Sequence, residues 1–224
     1  MPKPLLHIRQ LGYWLNPFAT LTDEQWLEIG YLHPLLEDAF ASGHDVQLLG
    51  MKGAGKTTAL RLMARRLQDK GYTAAYEYIP EGQRVFNTNT AAVEVFVLDE
   101  AQRLSLWQKR RLWKSGRETR LLISSHQDVG RWLKRPLTLN VEQLHTFDHW
   151  QTMIERRLTY FALPEVERVT FSEAAVRSVY ERFAPDFRTA EFFLYDLWER
   201  LEGVVEINVK RVEAMQKLEG ERKN

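Results

Sequence analysis

The chain has no cysteine. Disulfide frameworks, thiolate zinc sites, iron–sulfur ligation and a cysteine nucleophile are therefore excluded. No apolar run approaches the roughly 20 residues a membrane-spanning helix needs. The opening MPKPLLHIRQLGYW has no long apolar core and no small-residue cleavage site, so no signal peptide is expected and the cytoplasm is the expected compartment. Internal repeats and low-complexity tracts are absent as well. Net charge is scarce, at +1 over 224 residues. That balance conceals a bipolar chain, because residues 101–135 hold ten Lys/Arg against two acids, a net of +8. What remains is ordinary globular composition, 44% hydrophobic and 27% charged. A chain of this length can bury a core without covalent or metal staples.

The apolar pattern alternates between two periods. Asp45–Leu49 (DVQLL) is a short apolar run ending at a glycine-rich turn, which predicts a buried strand. Residues 56–70 then read as a helix, with Leu60, Met63 and Leu67 on one face and Gly71 as the stop. Further strands are predicted over 72–79, 93–98 and 121–125, and one over 137–141, with a helix over 104–115 between them. Strands alternating with helices imply an α/β fold, a parallel sheet of about five strands covered on both faces. Beyond residue 147 the strand signal fades. Asp148 is the expected cap of a helix carrying Trp150, Ile154, Leu158 and Phe161 inward, and Ser172 the cap of the next. Two more helices follow. The expected division is an α/β domain over 1–146 and a small helical domain over 147–224.

Between the first strand and its helix lies Gly50-Met51-Lys52-Gly53-Ala54-Gly55-Lys56-Thr57, followed by Thr58. It fits G-x-x-x-x-G-K-[ST] in the strand-then-helix context that confirms a phosphate loop. Glycines let backbone N–H groups curl around phosphate oxygens, and the helix N-terminus adds its positive dipole end. Lys56 is placed to bridge the β- and γ-phosphates, and the Thr57 hydroxyl to ligate Mg²⁺. A second signal is Asp99-Glu100 at the carboxyl end of the 93–98 strand, the edge where open parallel sheets bind ligands. Asp99 can hold Mg²⁺ there, and Glu100 can act as general base toward water. No N/T-K-x-D guanine-selecting sequence is present, so ATP with Mg²⁺ is the expected ligand.

GMKGAGKT followed by VFVLDEAQ resembles the Walker A and Walker B motifs of AAA+ ATPases, P-loop NTPases that carry a catalytic Glu. The resemblance implies a P-loop sheet followed by a helical lid. It implies a polar sensor 1 at the end of the 121–125 strand, on Ser125 or Ser124. It implies an arginine finger aimed at a neighbour's nucleotide, on Arg135 or Arg131, and so self-association. Ala184-Pro185-Asp186-Phe187-Arg188 is similar to the G-N-x-R opening of the lid's third helix, which would make Arg188 sensor 2. Asn16-Pro17-Phe18 resembles the N-P-F of small TniB- and ExeA-type ATPases, where it lies beside the adenine; a turn that packs Phe18 into the core reads equally well. The short span from Gly71 to Val93 departs from most AAA+ motors, which place another helix and a pore loop there. A switch or assembly ATPase fits better than a polypeptide-threading motor.

The basic window centres on the 104–115 helix, with Lys109, Arg110, Arg111 and Lys114, and Arg117 just beyond it, interleaved with Trp107 and Trp113. A concentrated positive face is the footprint of phosphate-backbone binding and points to DNA. A solvated helix, a neighbouring subunit or an acidic protein partner would present the same pattern. The function these signals imply is a Mg-dependent ATPase that acts as a nucleotide-controlled switch on DNA; the alternative is a signalling or scaffold NTPase that holds ATP or ADP to control a protein partner.

Overall fold

The computed structural model describes residues 3–116 and 118–222. Arg117 therefore lies outside the described residues. The chain divides into two compact units, Gly30–Leu144 on the one hand and Met1–Ile29 with His145–Asn224 on the other.

The first of these is the expected α/β layer. It opens with the short helix α3 (Pro34–Ala41), numbered after α1 (Lys3–Gln10) and α2 (Asp23–Ile29) of the other unit. Five strands follow: β1 (Asp45–Leu49), β2 (Ala74–Tyr78), β3 (Val95–Asp99), β4 (Arg120–Ser125) and β5 (Pro136–Asn140). All pair in parallel, in the order β2-β3-β4-β1-β5. Helix α4 (Lys56–Asp69) links β1 to β2, and α5 (Leu106–Ser115) links β3 to β4. The one-turn α6 (Val141–Leu144) closes the unit.

Strand alternation divides the interior into two cores. Val46, Leu48, Val95, Val97 and Leu122 face Leu60, Met63 and Leu67 of α4. Phe96, Leu98, Leu121 and Ile123 face the other way, against Phe86, Leu104 and Leu112 of α5. The central strands β1, β3 and β4 are short and buried on both sides, which is why they read as continuous apolar runs, whereas the edge strands β2 and β5 are only partly buried. β1 has the expected ends, and the ends of the other strands differ from expectation by at most two residues. The 104–115 helix starts at Leu106, because Ala101–Arg103 forms a separate 3-10 turn and Ser105 caps α5 by accepting from the Gln108 N–H.

The helical unit differs from expectation in its membership. Residues 1–29, expected with the sheet, pack with the C-terminal helices α7 (Phe147–Phe161), α8 (Glu173–Phe183), α9 (Phe187–Glu199) and α10 (Val209–Arg222). The Tyr13 hydroxyl donates to the Val169 carbonyl at 2.6 Å, and the buried Arg157 guanidinium donates to the Pro17 carbonyl at 2.8 Å. Two-residue strands β6 (Thr170–Phe171) and β7 (Glu206–Ile207) pair in parallel between the helices. The cap of α7 is Thr146 instead of Asp148, its hydroxyl accepting from the His149 N–H; Ser172 caps α8 as expected. Among the described residues, no helix is long and apolar enough to cross a membrane.

Candidate nucleotide site

The loop from Gly50 to Gly55 joins β1 to α4. Gly53 and Gly55 take φ of +91° and +79°, a backbone that residues with a Cβ rarely adopt. The turn so formed brings Lys56 back over the loop. Its buried ammonium donates to the carbonyls of Gly50 and Met51 at 2.8 and 2.7 Å. Burial holds the Lys56 pKa below the usual lysine value, against the opposing charges of Glu100, Asp99 and Glu142. The Glu142 carboxylate, from α6, accepts the Met51 N–H at 2.7 Å and so anchors the start of the loop. Lys52 and Met51 are exposed, Ala54 is buried, and Thr58 is half-buried on the first turn of α4.

Beside this loop the carboxyl end of β3 presents both acids. Asp99 is fully buried and triply held. Its Oδ2 accepts from Thr57 Oγ1 at 2.7 Å and from the Tyr76 hydroxyl at 3.0 Å, and its Oδ1 accepts from the Ser124 hydroxyl. Burial and the Asp99 charge push the Tyr76 phenol upward, so it remains a donor. The Thr57 hydroxyl and the Asp99 carboxylate are hard oxygen donors in contact with each other. That pair suits Mg²⁺, which takes few protein ligands and completes its shell with water and phosphate oxygens. Among the described residues no group of three or more His, Cys, Asp or Glu could hold a metal by itself.

Glu100 adopts a left-handed backbone, φ +66°, at a cost of about 1–3 kcal/mol for such a residue. Its N–H donates to Ser124 Oγ at 3.0 Å. Both carboxylate oxygens are engaged. Oε1 lies 3.2 Å from His126 Nε2; Oε2 pairs with Arg103 at 3.0 Å and accepts from Gln102 Nε2 at 2.8 Å. The Lys56 ammonium lies 3.4 Å from His126 Nδ1. An ammonium only donates, so Nδ1 accepts and the imidazole proton sits on Nε2, facing Glu100. His126 thus links the phosphate-loop lysine to the acid that faces it.

The structure separates the two sensor candidates. Ser124 braces Asp99 and Glu100. The Ser125 hydroxyl is spent on its own loop, donating to the Gln127 carbonyl and accepting the Gln127 N–H at 3.1 Å. Ser124 is therefore the one of the two that bonds both acids. Leu98 pairs with Ile123, so the next register pair is Asp99 with Ser124. Period two in β4 then puts Ser124 on the α4 side of the sheet and Ser125 on the other. His126, Gln102, Arg103 and Tyr76 were missed, because no local pattern marks a residue whose partner lies on another strand.

Arg135 is exposed and lies just before β5, at the amino edge of the sheet; its carbonyl accepts from Asp45 N–H at 2.9 Å. It stands about five residues of strand, ~17 Å, from the edge that carries Lys56, and so does not serve this chain's own loop. Arg131 is exposed over the Trp132 ring. In the helical unit, Arg188 is exposed on the first turn of α9. Asn16 is buried, donating to Glu199 at 2.8 Å and to the Tyr195 carbonyl, while its Oδ1 accepts the Phe18 N–H. Phe18 is core, edge-on to Phe171 and Trp198, and Pro17 serves Arg157 through its carbonyl. The turn Asn16-Pro17-Phe18 thus packs Phe18 into the core of the helical unit.

The basic helix is only partly outward. Lys109 donates to the Gln102 carbonyl at 3.1 Å, and burial lowers its pKa. Arg111 donates to the carbonyls of Phe86 and Thr88 and stacks on the Phe86 ring. Arg110 and Lys114 remain exposed.

No family model matches the sequence, and no curated protein matches it. Solved structures do match. The Thermotoga maritima RuvB Holliday junction branch migration motor superposes with a TM-score of 0.52 at 19% identity, over 88% of this chain and 70% of that one. AMPPCP-bound DnaA from Aquifex aeolicus superposes with a TM-score of 0.53 at 14% identity, over 84% of this chain and 65% of that one. At such identities the likeness is one of fold. The parallel five-stranded sheet followed by a helical C-terminal region is the fold this chain has in common with both structures.

Proposed function

We propose that the chain binds ATP with Mg²⁺ and hydrolyses it, acting as a nucleotide-controlled switch on DNA. The observation that carries this reading is the meeting of Lys56, Thr57, Asp99 and Glu100 at one end of β1 and β3. Loop N–H groups and the Lys56 ammonium bind β- and γ-phosphate oxygens. Thr57 and Asp99 hold Mg²⁺, whose chemistry is to offset phosphate charge. Glu100 takes a proton from water as the water oxygen bonds to the γ-phosphorus, the bond to the β–γ bridging oxygen breaks, and ADP and phosphate leave. Ser124 keeps Asp99 and Glu100 in register, and His126 sets Glu100 relative to Lys56. The switch role and the TniB- and ExeA-like assignment come from the motifs and the short span after Gly71. Arg135 then acts in trans on a neighbouring copy, and Arg188 on the lid as sensor 2.

Calorimetric titration with ATP and phosphate release with and without DNA test this directly. A chain that binds no ATP ends the reading. Scattering with a non-hydrolysable analogue tests the trans role; a wild type that stays monomeric with analogue and DNA returns Arg135 to the surface. The bonds that Lys109 and Arg111 make to carbonyls of their own unit favour a second reading, an NTPase that binds nucleotide to control a protein partner. Phosphate release stimulated by a protein and indifferent to DNA would select it.

A further inference from the structure

We infer that the outer face of α5, with the turn that packs beside it, is a platform for single-stranded nucleic acid. This deepens the DNA part of the proposal above and rests on it. The helical period of 3.6 residues puts Arg110 and Lys114 in the middle of the exposed face, Trp107 on one margin and Trp113 on the other. Trp107 is 76% exposed and Trp113 40% exposed. The Arg110 guanidinium lies 5.2 Å from the centre of the Trp107 ring. On the neighbouring 3-10 turn, Gly130–Trp132, Arg131 lies 5.3 Å from the centre of the Trp132 ring. Two guanidinium–indole pairs thus stand on adjoining elements, and no acid interrupts the α5 stretch.

The charge that remains outward decides which nucleic acid fits. A duplex is held by tracking many phosphates, and it hides its base faces in the stack. Lys109 is half-buried on a carbonyl of its own unit, and Arg111, though exposed, bonds two more, so fewer cations are free to track a duplex than the sequence pattern offers. Exposed indole faces have no use for a duplex backbone. Unpaired bases offer a π-face to each of them, and the guanidiniums beside the indoles meet the phosphates. Because stacking is indifferent to base identity, the platform is sequence-tolerant.

The test uses the full chain and two labelled probes, (dT)20 and a (dT)20·(dA)20 duplex, read by fluorescence anisotropy across a salt series. The single strand binds more tightly than the duplex. If Arg110, Lys114 and Arg131 are the residues that meet phosphates, the log–log salt slope is about 2 at ~0.7 per phosphate. Trp107→Ala weakens (dT)20 binding about tenfold with little change of slope, and Trp107→Phe recovers part of the loss. Arg110→Ala reduces the slope. Equal or tighter duplex binding, or a Trp107→Ala variant that binds (dT)20 like the wild type, overturns the inference. So does a wild type that ignores both probes; if Trp107→Ala then abolishes self-association, the face is a contact between copies. ATP titration on the same samples keeps the two readings apart, since loss of the platform leaves nucleotide affinity in place.

Discussion

The two units bury their polar groups for different ends. In Gly30–Leu144, Lys56, Asp99, Glu100 and Ser124 are buried together at the carboxyl ends of β1, β3 and β4. Every one is held by neighbours that a ligand would have to displace or recruit. In the helical unit, Asn16 and Arg157 are buried among aromatic rings and serve to tie the N-terminal segment to α7 and α9. Polarity costs desolvation in both places. In the helical unit that cost is offset by bonds between distant parts of the chain, while at the strand ends like charges are gathered and one residue is strained. The first arrangement is what a stable fold needs; the second is what chemistry needs.

Glu100→Gln should give the largest separation between the two. The amide keeps the shape but cannot accept a proton from water. Phosphate release at saturating ATP should fall about 10²–10⁴-fold with ATP affinity retained. A variant that turns over at the wild-type rate would make Glu100 a helix cap. Arg157→Ala strikes the other unit. Arg157 is 97% buried, pairs with Glu191 and lies 5.4 Å from the centre of the Trp26 ring. Its removal leaves the Glu191 carboxylate, whose pKa burial already raises, without its partner. The expected cost is about 3–5 kcal/mol of stability by denaturant unfolding. A loss under 1 kcal/mol would mean that the segment is held by its aromatic contacts alone.

Lys56→Ala should behave in the opposite way to Arg157→Ala. Its ammonium is buried on loop carbonyls, against desolvation, so its removal should leave the melting temperature close to wild type. Charge-assisted contacts to phosphate are worth about 1.5–3 kcal/mol, so ATP affinity should drop roughly 10- to 100-fold. Unchanged affinity by calorimetry would remove the phosphate-loop assignment.

The legibility of the sequence follows the same division. The phosphate loop and Asp99-Glu100 are contiguous patterns whose chemistry depends on local turns, so they could be read without a partner strand. The parallel sheet was readable because its central strands β1, β3 and β4 are buried on both faces and largely apolar. Membership of residues 1–29 was not readable, since Tyr13 with Val169 and Arg157 with Pro17 are pairs more than 130 positions apart. The basic helix shows a related limit. Helical spacing tells which residues share a face, but it cannot tell that Arg111 finds the Phe86 and Thr88 carbonyls of a distant loop.

Ser124 and Ser125 give the smallest and most discriminating contrast, because they are adjacent, chemically identical and both fully buried. Ser124→Ala removes the donor to Asp99 Oδ1 and leaves the buried Glu100 N–H without its acceptor. An unsatisfied buried group costs about 1–3 kcal/mol, and the loss falls on the two acids of the site. Phosphate release should therefore decline along with stability. Ser125→Ala removes a hydroxyl whose bonds both go to Gln127, within a tight turn. Its cost should be about 1 kcal/mol in stability, with the smaller effect on turnover. Measuring both variants for unfolding free energy and for phosphate release separates the two roles. If Ser125→Ala slows turnover more than Ser124→Ala, the sensor belongs on the α5 side of the sheet, and the register argument from Leu98 and Ile123 has been applied to the wrong face.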